Sequence, residues 1–157
     1  MEFDELYKTF SPKIFRLCMG YVNDKDWAKD LVQETFIQVW KNLHTFRNEA
    51  AIGTWIFRIA SNICLRQIEH SSRMPKAEIP FQVEDRTEAP YDAHIELLYK
   101  CIATLKEAER LIISLVLEDL PQKEIAAITG IPEGNIRVKI HRIKQILTQR
   151  FNEYEKL

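Results

Sequence analysis

The chain has 157 residues, 46% of them hydrophobic and 29% charged, with only four glycines and a formal net charge of −1. That is enough apolar material for one compact domain or two small ones, and so little glycine favours a mainly helical chain. No run approaches the ~20 apolar residues of a membrane span, and the acidic start Met-Glu-Phe-Asp-Glu is unlike a signal peptide, so membrane insertion is not expected and a cytoplasmic location is.

In chain order, Phe3, Leu6, Tyr7 and Phe10 have helical spacing, and Ser11-Pro12 reads as a cap followed by a new helix start. Ile14, Leu17, Cys18, Tyr21 and Val22 carry that helix to Asn23-Asp24. A further helix is predicted from about Asp26 to Leu43, with Ala28, Leu31, Val32, Thr35, Phe36, Val39 and Leu43 inward. Residues 44–53 break the pattern and form a loop, after which Thr54 caps a helix that buries Ile56, Ile59, Ala60, Ile63 and Gln67. Pro75, Pro80 and Pro90 then sit among many charges without periodicity, the signature of a linker. Two helices follow, near 92–105 and 106–117, and then a short helix, a turn and a long helix. The expected fold is all-α: two helical domains, at 1–70 and 92–157, joined by a flexible acidic linker at 71–91.

The last two helices have the form of a helix-turn-helix. Gln122 to Thr129 is the short first helix, with Ile125, Ala126 and Ile128 apolar. Gly130 follows where a helix end favours a left-handed backbone, Ile131 is the plug of the turn, and Pro132 suits the start of the next helix. Ile136, Ile140, Ile143 and Leu147 then recur at spacings of four, three and four, one apolar stripe. Arg137, His141 and Lys144 make an outward ridge flanked by Lys139 and Arg142, side chains able to reach phosphates and guanine edges in a major groove. A solvated cationic face is the competing reading; the Gly-Ile-Pro turn tips the balance to DNA reading.

Charge is unevenly spread. Residues 41–76 hold six Lys/Arg against two Asp/Glu, and 120–157 hold seven against four, whereas 77–119 hold four against ten. Two basic segments flanking an acidic one suggest two separate nucleic-acid contacts. The first maps to the helix after the loop, where Trp55, Arg58, Asn62 and Arg66 share a stripe by i, i+3, i+4 steps. An aromatic, an amide and two guanidinium groups suit base stacking and phosphate clamping, and Phe46, Arg47 and Asn48 of the loop could frame a pocket for an unstacked base. Trp55 packed beneath the loop as core is the alternative. Asp30, Gln33 and Glu34 beside Leu31 and Phe36 form either a partner-docking edge or a plain solvated face.

Three widely spaced cysteines, Cys18, Cys64 and Cys101, lack Cys-x-x-Cys spacing and fit reduced, buried thiols. With four histidines they make no triad or ligand cluster, so neither an enzyme, a metal nor a cofactor is expected.

The run Asp30-Leu31-Val32-Gln33-Glu34-Thr35-Phe36, then Phe46-Arg47, then Thr54-Trp55-Ile56-Phe57-Arg58-Ile59-Ala60-Ser61-Asn62, resembles the N-terminal domain (region 2) of extracytoplasmic-function sigma factors of the sigma-70 family. Residues 122–147, with Gly134-Asn135-Ile136-Arg137, resemble their C-terminal domain (region 4). The resemblance implies that Asp30, Leu31, Gln33, Glu34 and Phe36 bind core RNA polymerase, whose β′ clamp and β flap are the expected partners. It implies that Phe46, Arg47, Asn48, Trp55, Arg58, Asn62 and Arg66 open and hold the promoter's minus-ten element. Asn135, Arg137, Lys139, His141, Arg142 and Lys144 would then read the minus-thirty-five element. An anti-sigma factor is a further implied partner. An autonomous helix-turn-helix regulator with an N-terminal sensing or dimerisation domain is the alternative function.

Three positions depart from the family pattern: Pro121 and Val138 where Ser is common, and Arg-Asn-Glu-Ala in the loop where Arg-Gly-Glu/Asp-Ser is common. Asp119 is expected to cap the short helix in place of residue 121, and Val138 to meet a thymine methyl.

Overall fold

The computed structural model describes residues 2–49, 51–71 and 93–156. Among them all regular structure is helical: α1 Phe3–Val22, α2 Lys25–Asn42, a 3-10 turn at Leu43–Thr45, α3 Ile52–Ser71, α4 Ala93–Ala103, α5 Glu107–Leu117, α6 Gln122–Thr129 and α7 Glu133–Glu155. The linker expected at 71–91 lies outside the described residues save for Ser71, the last residue of α3.

The expected break at Ser11-Pro12 does not occur: α1 runs unbroken through Pro12. Proline there removes the N–H that would reach back to the Lys8 carbonyl, at roughly 3 kcal/mol in a helix interior. Against this, Leu6, Ile14, Leu17 and Cys18 on the same helix are wholly buried. At about 1.5–3 kcal/mol for a large apolar side chain, the packing of both halves of α1 outweighs the local defect. A start signal read locally was overridden by burial.

Asn23 and Asp24 divide the turn between α1 and α2. Asn23 takes a left-handed conformation (φ 50°) and donates its N–H to the Met19 carbonyl at 2.9 Å, a conformation asparagine tolerates well. Asp24 then caps α2, accepting from the Trp27 N–H at 3.0 Å. The inner stripe of α2 is as expected apart from Leu43, which is half-buried in the 3-10 turn. Thr54 does not cap α3. The helix begins at Ile52, the Trp55 N–H bonds to the Ala51 carbonyl at 3.2 Å, and Thr54 is buried within it. Cys18 and Cys64 meet inside this first half, Sγ to Sγ 3.8 Å, and Cys101 is buried in the second. Hydrogen bonding to Cys64, then burial, push the Cys18 thiol well above its ordinary range; such thiols are inert.

In the second half α7 packs against α4, α5 and α6, and its stripe of Ile136, Ile140, Ile143 and Leu147 is buried as expected. Gly130 has φ 75° and closes α6 on the Ala126 carbonyl. Pro132 stands one residue ahead of α7 and Ile131 is half-buried beneath the turn. Asp119 does not cap α6. It adopts φ 62° and donates its N–H to the Val116 carbonyl, closing α5 instead, and Pro121 precedes α6 with no side-chain cap. One residue cannot serve both ends.

The halves are not apart. α1 packs on α4 and α5, and α3 on α6, so the buried residues of both form one continuous cluster. Since Pro12 is exposed, Pro12→Ala restores a helix bond without touching the core. We expect it to raise stability by about 1–3 kcal/mol, seen as a higher urea midpoint at unchanged slope; a lower midpoint would show that the proline is accommodated by more than the packing described.

Candidate nucleic-acid interface

The stripe on α3 stands clear of the core. Ile56, Phe57, Ala60, Ile63 and Cys64 are buried and face inward, which leaves Arg58, Asn62 and Arg66 exposed on the other side. The same 3.6-residue period that hides the apolar set sets the polar set in a row. Trp55, at the head of the row, is half-buried and lies against Phe46, ring centroids 5.1 Å apart. Trp55 thus packs with Phe46 of the loop, and both rings are half-buried. Beside it Arg47 and Asn48 are exposed, and Asn48 takes φ 57°, which turns the loop at that point. An aromatic pair flanked by a guanidinium and a row of cations and amides can stack one base and follow the phosphates of a single strand.

On α7, Asn135, Arg137, His141, Arg142 and Lys144 are exposed and Lys139 half-buried. His141 and Lys144 border an open groove with Gln145, Thr148 and Gln149. Val138 is 58% exposed in their midst.

The third set, on α2, divides. Asp30 and Gln33 are exposed, and Glu34 is half-buried, held by the Gln67 amide at 3.4 Å. Leu31 and Phe36 are only 1% and 3% exposed, so as direct contacts they are corrected: a contiguous run on a helix necessarily dips inward, and these two support the edge from beneath. Two further exposed apolar residues, not singled out from the sequence, lie one and two turns on from Gln33. Ile37 and Trp40 are 51% and 65% exposed, continuing Gln33 at i+4 and i+7. Trp40 is seated edge-on against Phe3 at 5.1 Å, and Tyr7 against Phe36 at 5.0 Å. The signal was available: Ile37 and Trp40 fall off the inner stripe of α2.

Arg58 is not wholly at liberty. Its guanidinium makes a long bond, 3.5 Å, to the carbonyl of Ala127 in the last turn of α6. The first helix of the helix-turn-helix therefore rests on the first basic face. No helix among the described residues is long and apolar enough to cross a membrane.

The Sigma-70 region 2 family matches residues 6–74 and the Sigma-70, region 4 family residues 95–147. The chain is 32% identical over 160 residues to the ECF RNA polymerase sigma factor RpoE of Cereibacter sphaeroides, covering 96% of this chain and 86% of that protein. To the ECF RNA polymerase sigma factor SigW of Bacillus subtilis it is 26% identical over 170 residues, covering 96% and 89%. Its fold is similar to that of the sigma factor RpoE solved in complex with the anti-sigma factor NepR from Bartonella quintana (TM-score 0.78, 19% identity, 96% of each chain). It is also similar to CnrH solved with the cytosolic domain of CnrY (TM-score 0.69, 18% identity, 96% of this chain and 88% of that one). Two family matches in this order across most of the length, with a relative nearly a third identical end to end, place the chain in the sigma-70 family, among its extracytoplasmic-function sigma factors.

Proposed function

We infer that the chain is a promoter-specificity subunit of RNA polymerase, regulatory and not itself catalytic, acting in the cytoplasm. The carrying observation is the pair of exposed basic faces, on α3 and on α7, each held outward by a buried apolar stripe. The α7 face, Asn135, Arg137, Lys139, His141, Arg142 and Lys144, suits duplex DNA at the minus-thirty-five element. The α3 face with Phe46, Arg47 and Asn48 suits an unstacked strand at the minus-ten element. Unstacking a base costs a few kcal/mol, and stacking on an aromatic returns about 1–3 kcal/mol per base. Trapping one strand while reading duplex nearby turns binding into strand opening.

Asp30, Gln33 and Glu34 supply a polar edge for core polymerase, and Ile37 and Trp40 extend it with apolar area of the kind that dominates protein interfaces. Family membership speaks against the autonomous-regulator alternative, and the complexes of its structural neighbours with anti-sigma proteins support an anti-sigma partner here.

Run-off transcription with core polymerase tests the whole reading: the added chain should yield promoter-dependent transcripts from a genomic panel, and a panel without any, with footprints from the chain alone, would favour the alternative. Arg137→Ala should weaken promoter binding by about 1–3 kcal/mol and relax preference at one base pair. Selection of bound fragments measures this, and an unchanged site logo would remove Arg137 from base reading. Trp40→Ala and Glu34→Lys should each weaken core association by tenfold or more, about 1.4 kcal/mol, while the second half's binding to duplex DNA stays as it was. Equal core affinity in both variants would refute the docking edge.

A further inference from the structure

The outward face of α7 is not polar throughout. At ~100° of rotation per helical residue, Val138 stands about 200° round from Ile136. That puts it almost opposite the buried stripe of Ile136, Ile140, Ile143 and Leu147, on the outermost line of the helix. Asn135, His141 and Arg142 are its neighbours at three- and four-residue steps, and all are exposed. One turn earlier Gly134 leaves a recess beside it. A Cβ built on Gly134 would meet nothing within 4 Å, so no contact among the described residues calls for glycine there. Glycine is disfavoured in a helix, and one of its uses is to let another molecule come close to the backbone.

Val138 is the sixth residue of α7, and the leading residues of a helix laid in a major groove are those that meet base edges. Its side chain can neither donate nor accept a hydrogen bond. The groove presents guanine N7 and O6, cytosine N4, adenine N7 and N6, thymine O4, and one apolar group, the thymine C5-methyl. Against a polar edge the isopropyl group would displace water without replacing its hydrogen bond, a net loss. Against the methyl it buries apolar area on both partners. A β-branched side chain in a helix holds essentially one rotamer, so Val138 presents its methyls with little ordering cost.

We propose that Val138, with the recess at Gly134, is a specificity-determining contact for a C5-methylated pyrimidine in the duplex that α7 reads. This rests on the assignment of α7 to the minus-thirty-five element. A 5-methylcytosine offers the same methyl as thymine at the same place in the groove. Cytosine methylation at that one step therefore strengthens binding.

The test uses holoenzyme assembled from the full chain and core polymerase, on the duplex obtained by selection of bound fragments. Each thymine of the upstream element, on either strand, is replaced singly by deoxyuridine, which removes the methyl and keeps every hydrogen-bonding group. One position should weaken binding by about threefold to fivefold, the worth of one buried methyl, while the others change little. With cytosine at that position, C5-methylation should tighten binding by a similar factor. Val138→Ser should erase both effects at unchanged helical dichroism, since Val138 is 58% exposed and outside the core. A methyl effect that persists in Val138→Ser belongs to DNA shape or to another side chain and overturns the proposal. So does a selected duplex without a sensitive thymine. Both results leave promoter recognition standing, because a sequence has still been selected; a holoenzyme that selects none overturns both.

Discussion

Each cation and amide proposed to face DNA is placed by apolar residues turned the other way. On α7 the spacing of Ile136, Ile140, Ile143 and Leu147 fixes which side enters the core, and Arg137, His141 and Lys144 are cations on the remaining side. On α3 the same holds for Ile56, Ala60 and Ile63 against Arg58, Asn62 and Arg66. Cations so placed keep their hydration until a phosphate displaces it, so no ion is buried at a cost of several kcal/mol. The basic faces are in this sense by-products of helical periodicity, and a one-residue slip in either stripe would rotate its cations by about 100°.

That dependence explains what could be read in advance. The α7 stripe and the Gly130 turn were legible because both are local: one is a period, the other a backbone conformation that glycine adopts without strain. The three-residue steps of the α3 row were legible for the same reason. Pro12 and Thr54 misled for the converse reason. Each is a sound local signal for a helix start, and each lies where tertiary packing continues a helix through it or begins one earlier. Asp119 was assigned to the wrong helix end because nothing in a linear chain says which of two adjacent ends a polar residue will close.

Resemblance brought a different error. A family motif is a contiguous string, whereas a docking face on a helix is every third or fourth residue. Leu31 and Phe36 entered the docking set with their neighbours and prove to be buried, while Ile37 and Trp40, outside the string, are exposed. Physical periodicity corrects the motif, and the aromatic packing of Phe3 and Tyr7 around Phe36 and Trp40 shows how an exposed tryptophan is kept in one orientation. The seam between the halves, where Arg16 pairs with Glu118, leaves no local trace in the sequence. Arg16 and Glu118 are 102 positions apart, and a lone arginine and a lone glutamate carry no mark of each other.

The polar groups of that seam contribute less than its apolar contacts. An exposed ion pair is worth about 0–1 kcal/mol, and Arg16 is half in solvent. A buried hydroxyl left unbonded costs roughly 1–3 kcal/mol, which Ser114 sets against the apolar contact around it. These polar groups thus contribute little net, and the continuous apolar cluster shared by both halves holds them together.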